Sequence, residues 1–170
     1  MTLIEKINHV LPRKLLTASI TGALFAVLLG IVVPSPFGDD IHSIKDYFWS
    51  FTTSVPLYLI YSFPVIFIYG TLTSILSDFL AGQIAKNKRK RIEPYLSVLF
   101  HLLFGLVLQW VSLMAAMLFF LVGRMLLKRE RFKWSHVLKG LAIPILIWVL
   151  FMGIIWITDF FREGADYIVY

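Results

Sequence analysis

Tyr95 to Gly123 reads YLSVLFHLLFGLVLQWVSLMAAMLFFLVG, a stretch without a single Asp, Glu, Lys or Arg, and its reading decides the fold. As one helix it would be about 43 Å long at 1.5 Å per residue, against a hydrocarbon core of about 30 Å. It either tilts as one long span or folds into a tight hairpin. The hairpin reading gives two short spans, Ile92 to Leu108 and Trp110 to Leu127, that turn near Gln109. Polar and interfacial residues cluster only at Gln109-Trp110-Val111-Ser112, where such a turn belongs.

Working outward, the same pattern repeats. Leu15 to Val33 is uncharged and ends at Pro34 and Pro36, which gives a first span. It is longer than the apolar core of a signal peptide, and Val33-Pro34-Ser35-Pro36 is a poor cleavage context, so an uncleaved span is expected. Pro34 to Asp46 is acidic and turn-rich. The block Tyr47 to Ser77 supplies a second span, about Ser54 to Leu76, with Tyr47, Phe48 and Trp49 before it as interface aromatics. Pro56 and Pro64 fall inside it, which membrane helices tolerate where neighbours satisfy the freed carbonyl. The last span is about Gly140 to Thr158, followed by an acidic tail. Between the blocks lie two basic segments, about 85–91 and 128–139.

Lys and Arg in short loops stay on the cytoplasmic side, and acids weigh little in that rule. With the N-terminus inside and four spans, nine cations fall inside and seven outside. With the hairpin, fourteen fall inside and only Lys45 and Arg162 outside. The hairpin also sends Asp39, Asp40, Asp46 and the acidic tail outward, and Gln109 and Trp110 to the outer interface. The expected fold is therefore all-α, a polytopic transmembrane helix bundle of five spans in preference to four. It forms a single domain over residues 1–170 with the N-terminus cytoplasmic and the C-terminus outside.

Composition agrees. The chain is 59% apolar and 15% charged, and its mean hydropathy is +0.82. A soluble domain of this size cannot hide so much apolar surface, whereas lipid solvates it. The net charge of +6 would suggest nucleic acid in a soluble protein. Here the cations flank hydrophobic spans, where they meet anionic headgroups, so the bilayer is the expected partner and nucleic acid is not. Cysteine is absent, which excludes disulfides, thiolate nucleophiles and Cys-based metal sites.

Three groups of residues invite a functional reading. Ala18, Gly22, Ala26 and Gly30 recur every four residues, so four small side chains share one stripe that lets another helix approach closely. That stripe is either a homodimer seam or, more plainly, packing within the chain's own bundle. Asp78 follows Gly70 and Ser74 by the same spacing, so Ser74 and Asp78 share a face that could bind a cation or relay protons. The plainer reading pairs Asp78 with the lysines that follow it. His101 lies about ten residues past Arg91, inside the hydrocarbon in either threading, and an ionisable residue there is a functional candidate. The plainer reading is a neutral imidazole bonded to Tyr58, Tyr61, Ser62, Tyr69 or Thr73. His9, His42 and His136 sit in water-facing or interfacial segments, so no metal site and no cofactor are expected. No zinc motif, Ser/His or Asp/Asp pair or Arg/His cluster marks a membrane hydrolase. No span carries the mid-membrane carboxylate of a small drug exporter.

The segments Pro64-Val65-Ile66-Phe67-Ile68-Tyr69-Gly70, Thr73-Ser74-Ile75-Leu76-Ser77-Asp78 and His101-Leu102-Leu103-Phe104-Gly105, with the basic run between them, resemble small uncharacterised multi-spanning membrane proteins of low-GC Gram-positive bacteria. The resemblance covers about the middle quarter of the chain. It implies a plasma-membrane location, carries no known activity, and links Asp78 with His101. The expected function is that of a non-enzymatic accessory or immunity-like protein acting through helix contacts with itself or a larger membrane partner. The runner-up is a small oligomeric transporter or channel with a polar path near His101 and the Ser74/Asp78 face.

Overall fold

The structure is a computed structural model and describes residues 3–87, 92–106, 109–127 and 132–166. These are almost entirely helical, with no strand among the described residues. Helix α1 spans Leu3–Val32, α2 spans Ile44–Val65, α3 spans Thr71–Asn87, α4 spans Glu93–Leu106, α5 spans Gln109–Leu126 and α6 spans Trp134–Asp166. A π-helical turn, Ile66–Gly70, joins α2 to α3, so the two form one rod and the bundle has five helices. Three are long and apolar enough to cross a membrane: Val10–Val32, Ile44–Ala85 and Trp134–Arg162.

The uncharged block that opened the sequence reading is a hairpin. Helices α4 and α5 have 14 and 18 residues, about 21 and 27 Å at 1.5 Å per residue. Gln109 stands at the turn with φ 72°, a left-handed conformation that reverses the chain at once. Residues 107 and 108, Lys88 to Arg91 and Lys128 to Arg131 lie outside the described residues, so much of both basic segments does too.

The other helices run past the apolar segments that mark their spans. The rod begins at Ile44 because Ser43 caps it, its Oγ accepting the Asp46 N–H at 3.1 Å. It therefore takes in Tyr47, Phe48 and Trp49. Pro64 has no N–H to give, and the backbone widens into a π turn directly after it. Backbone dihedrals at Val65, Ile66 and Thr71 all stay in the right-handed helical region, so the rod continues without a break. The hydroxyls of Thr52, Thr53, Ser54, Ser62, Thr73 and Ser77 bond back to carbonyls one turn earlier. Such bonds hide polar atoms that lipid cannot satisfy.

Helix α1 is the axis of the bundle and packs on α2, α6 and α5, while the α4–α5 hairpin lies against α3 and α1. The rod runs antiparallel to α1. A Cβ on Gly30 would meet Val55 at 2.7 Å, and one on Gly22 would meet Phe63 at 2.7 Å, so the small-residue stripe is the surface on which α2 lies. Tyr47 and Tyr58 donate to the carbonyls of Ile31 and Val33, which α1 leaves open at its C-terminal end. Gly123 faces Thr17, and Gly140 is pressed against Leu16 and Ser19. The start of α1, the end of α3, the start of α4, the end of α5 and the start of α6 thus gather at one end of the bundle. Phe51 and Phe151 meet edge to face at 5.5 Å and tie α2 to α6 towards the other end. The small core is Ala18, Phe25, Ile66, Ala115 and Phe119. Most of α6 turns large apolar side chains outward, among them Ile145, Leu146, Val149, Leu150 and Trp156.

Candidate functional site

Three rows of residues spaced by four converge at the end of the bundle where α1 and α4 start and α3 and α5 end. The first is the α1 stripe, which extends back from Ala18 to Lys14. The second is Gly70, Ser74 and Asp78 along the π turn and α3. The third is Ser97, His101 and Gly105 on α4. Each row has a small residue where its helix must come close. A Cβ on Gly70 would lie 3.2 Å from Phe119, and one on Gly105 would lie 2.8 Å from Ala116. Close approach carries the polar members of the rows into contact.

The contacts form a connected network. Lys14 Nζ pairs with Asp78 Oδ2 at 2.5 Å and donates to Ser74 Oγ at 2.6 Å. Ser97 Oγ donates to Asp78 Oδ1 at 2.8 Å. His101 Nδ1 lies 2.8 Å from the carbonyl of Ser97, and its Nε2 lies 3.1 Å from Ser74 Oγ. A carbonyl only accepts, so Nδ1 carries the hydrogen in this arrangement. For a neutral ring Nε2 is then an acceptor, and Ser74 supplies the donor. The result is a directed chain: Lys14 donates to Ser74, Ser74 to His101, and His101 to the Ser97 carbonyl. Lys14, Ser74, Ser97 and His101 are buried. The Asp78 side chain is 42% exposed, and its open side faces a cavity.

His101 stands between two cavities that share it and Phe119 in their walls. The first, about 480 Å³, opens at the basic end and is bordered by Arg13, Lys14, Asp78 and Arg124. The Arg124 guanidinium lies over the Phe120 ring, 5.6 Å from its centre. The second, about 300 Å³, is apolar and lies beyond His101, towards the hairpin tip. Phe25, Leu29, Val65 and Ile66 line it, and its rim reaches the outer surface at Tyr61, Val65 and Val111.

No protein-family model, curated protein or solved structure matches this chain.

Ser74, Asp78 and His101, expected as candidates from spacing and position, lie together in the network. Asp78 takes its cation from Lys14 on α1; the side chains of the lysines that follow it, from Lys86, lie outside the described residues. His101 bonds to Ser74 and to its own helix rather than to a tyrosine. Tyr58, Tyr61, Ser62, Tyr69 and Thr73 instead line the apolar cavity with it, and the Tyr69 hydroxyl donates to the Phe104 carbonyl at 3.0 Å. Ala18, Gly22, Ala26 and Gly30 are all buried, under the chain's own helices. Lys14 and Ser97 were not singled out from sequence. Lys14 reads as one more flanking cation until its four-residue offset from Ala18 is noticed. Ser97 stands four residues before His101, which was the available signal. No group of three His, Cys, Asp or Glu side chains is placed to hold a metal among the described residues.

Proposed function

We propose that this chain is a non-enzymatic, multi-pass protein of the cell membrane. In this reading its N-terminus is cytoplasmic, its C-terminus lies outside, and the α4–α5 hairpin counts as two short crossings. It acts as a small transporter that moves protons, alone or with a solute, past His101. The threading is supported by the charge count and by the gathering of the basic helix ends on one side of the bundle. A bilayer adapts to short crossings by thinning and by snorkelling of flanking cations.

The observation that carries the transport reading is His101 itself, set between a polar and an apolar cavity at the end of a chain of hydrogen bonds. Stability is a poor reason for such a network. Replacing a buried ion pair with apolar residues of similar volume is often neutral or stabilising. Ionisable residues within membrane spans are expensive and mark ion or substrate pathways. A proton entering from the polar cavity binds Nε2 of His101. The Ser74 hydroxyl hydrogen turns away, and Ser74 Oγ then accepts from both Lys14 and His101. Asp78, on the same Lys14 and Ser97, offsets the added charge.

The test is proton flux into vesicles that hold the purified protein and a pH-sensitive dye, under an imposed pH gradient. Wild type should dissipate the gradient faster than empty vesicles, and His101→Ala should match the empty vesicles. Equal flux in wild type and His101→Ala would sink the transport reading.

An accessory role through contact with a larger membrane partner has one observation in its favour, the outward apolar face of α6. The small-residue stripe is taken up by α2, so such a contact would use that face. The chain lacks cysteine, so a single Val149→Cys variant reports it by crosslinking in membranes.

A further inference from the structure

The transport reading leaves its solute open, and the two cavities differ in a way that names one. Resting on that reading, we propose that they take a single-chain anionic amphiphile together: a carboxylate or phosphate-monoester head in the polar cavity, and its alkyl tail in the apolar one. The polar cavity is bordered by Arg13, Lys14 and Arg124, with Asp78 as its carboxylate among the described residues. Its field therefore favours an anion and disfavours a cationic head. Lys14 commits two of its three N–H groups, to Asp78 and Ser74, and is itself part of the cavity wall. Guanidinium groups match carboxylate and phosphate oxygens in paired hydrogen bonds, and Arg13 and Arg124 stand at the rim where a head would enter.

The tail follows from volume. At the ~30 Å³ that a water-sized group occupies, about ten such groups fit in the apolar cavity. That suits one chain of about ten carbons. The tail can enter from the lipid, because Tyr61, Val65 and Val111 at the rim are exposed on the bundle's outer surface. His101 and Phe119 line both cavities, so head and tail would lie on either side of these two side chains. The ligand therefore lies against the imidazole that the transport reading uses.

The experiment uses the full chain in nanodiscs of zwitterionic lipid, with empty discs subtracted, and titrates decanoate by calorimetry. Decanoate is expected to bind saturably. Arg124→Gln should weaken it about tenfold, the scale of one lost charge-assisted bond. Val65→Trp, which fills the apolar cavity from its rim, should weaken it at least as much. Val111→Trp serves the same purpose if the first variant does not fold. Acetate and inorganic phosphate test the head alone, decyltrimethylammonium the tail with the wrong charge, and phosphatidic acid the two-chain source. Binding of any of these as tight as that of decanoate would overturn the proposal, as would decanoate binding unchanged in both Arg124→Gln and Val65→Trp. Proton flux is read separately. Flux that depends on His101 without decanoate binding leaves transport standing and removes this ligand. Decanoate binding without such flux keeps the ligand site and removes transport.

Discussion

The ion pair at the centre of the network is lopsided, and the asymmetry gives a sharp test. The Lys14 side chain is 9% exposed, whereas that of Asp78 is 42% exposed and faces the polar cavity. Removing either partner of a fully buried pair costs 3–5 kcal/mol, because an uncompensated charge stays behind. The two removals here leave different charges behind. Lys14→Met strands Asp78, which keeps its bond from Ser97 and can take up cavity water, so the cost falls towards the solvent-screened range of about 1 kcal/mol. Asp78→Asn keeps the shape and one acceptor oxygen but strands a buried ammonium, at a cost of about 2–3 kcal/mol after discounting the nearby cavity. Combining both changes should recover most of the larger loss and give a coupling of at least about 1 kcal/mol in the double-mutant cycle. The assay is reversible unfolding in mixed micelles, followed by tryptophan fluorescence. Equal costs, or a larger cost for Lys14→Met, would refute the claim that Lys14 is the buried member and Asp78 the solvated one.

Thr21 is fully buried and its Oγ1 has no hydrogen-bond partner, so Thr21→Val should raise stability by about 1 kcal/mol, read as a higher unfolding midpoint. Gly22→Ala sets a Cβ 2.7 Å from a Phe63 ring carbon; it should cost about 1–3 kcal/mol in the same assay, as overpacking does. Gln109 holds φ 72° at the hairpin turn, and a residue with a Cβ loses about 1 kcal/mol or more in that conformation. Gln109→Gly should therefore stabilise the hairpin, seen as slower amide exchange in α4 and α5.

How much of this was legible in the sequence differs between backbone and site. The helices follow from uncharged blocks, because a backbone in lipid must satisfy its own hydrogen bonds and helices do so locally. The hairpin was legible from charge and from Gln109, since lone polar and interfacial residues in an apolar run mark where the chain meets water. Helix ends were not, because α2 starts at a Ser43 cap that hydropathy does not weigh, and α6 runs on through Asp159 and Arg162. Ser74, Asp78 and His101 stood out because polar groups in apolar blocks are few. Their partners did not. Lys14 and Asp78 meet only once α1 and the rod lie antiparallel at the register set by Gly22 against Phe63 and Gly30 against Val55, and local spacing carries no information on register. The π turn was equally hidden, since Pro64 warns of a disturbed helix without saying whether it kinks or widens.

The short hairpin is what leaves the apolar cavity open. Helix α4 starts and helix α5 ends level with Lys14 and Asp78, as the Ser97 and Gly123 contacts require. With 14 and 18 residues, their hairpin tip falls well short of the far ends of α1 and the rod. Beyond their tip the cavity lining comes from α1 and the rod, with no residue of α6 in it among the described residues. The apolar cavity occupies that space, with Gly105, Val111 and Ser112 of the tip below it and Phe25, Leu29 and Tyr58 above. A hairpin one turn longer at each side would add about 5 Å of helix and fill the cavity with its own side chains. Lys14, Ser74, Asp78 and Ser97 would keep their contacts, because none of them lines that cavity. Cavity and network are thus separable by design of the chain length, and His101 is the one network residue that reaches both.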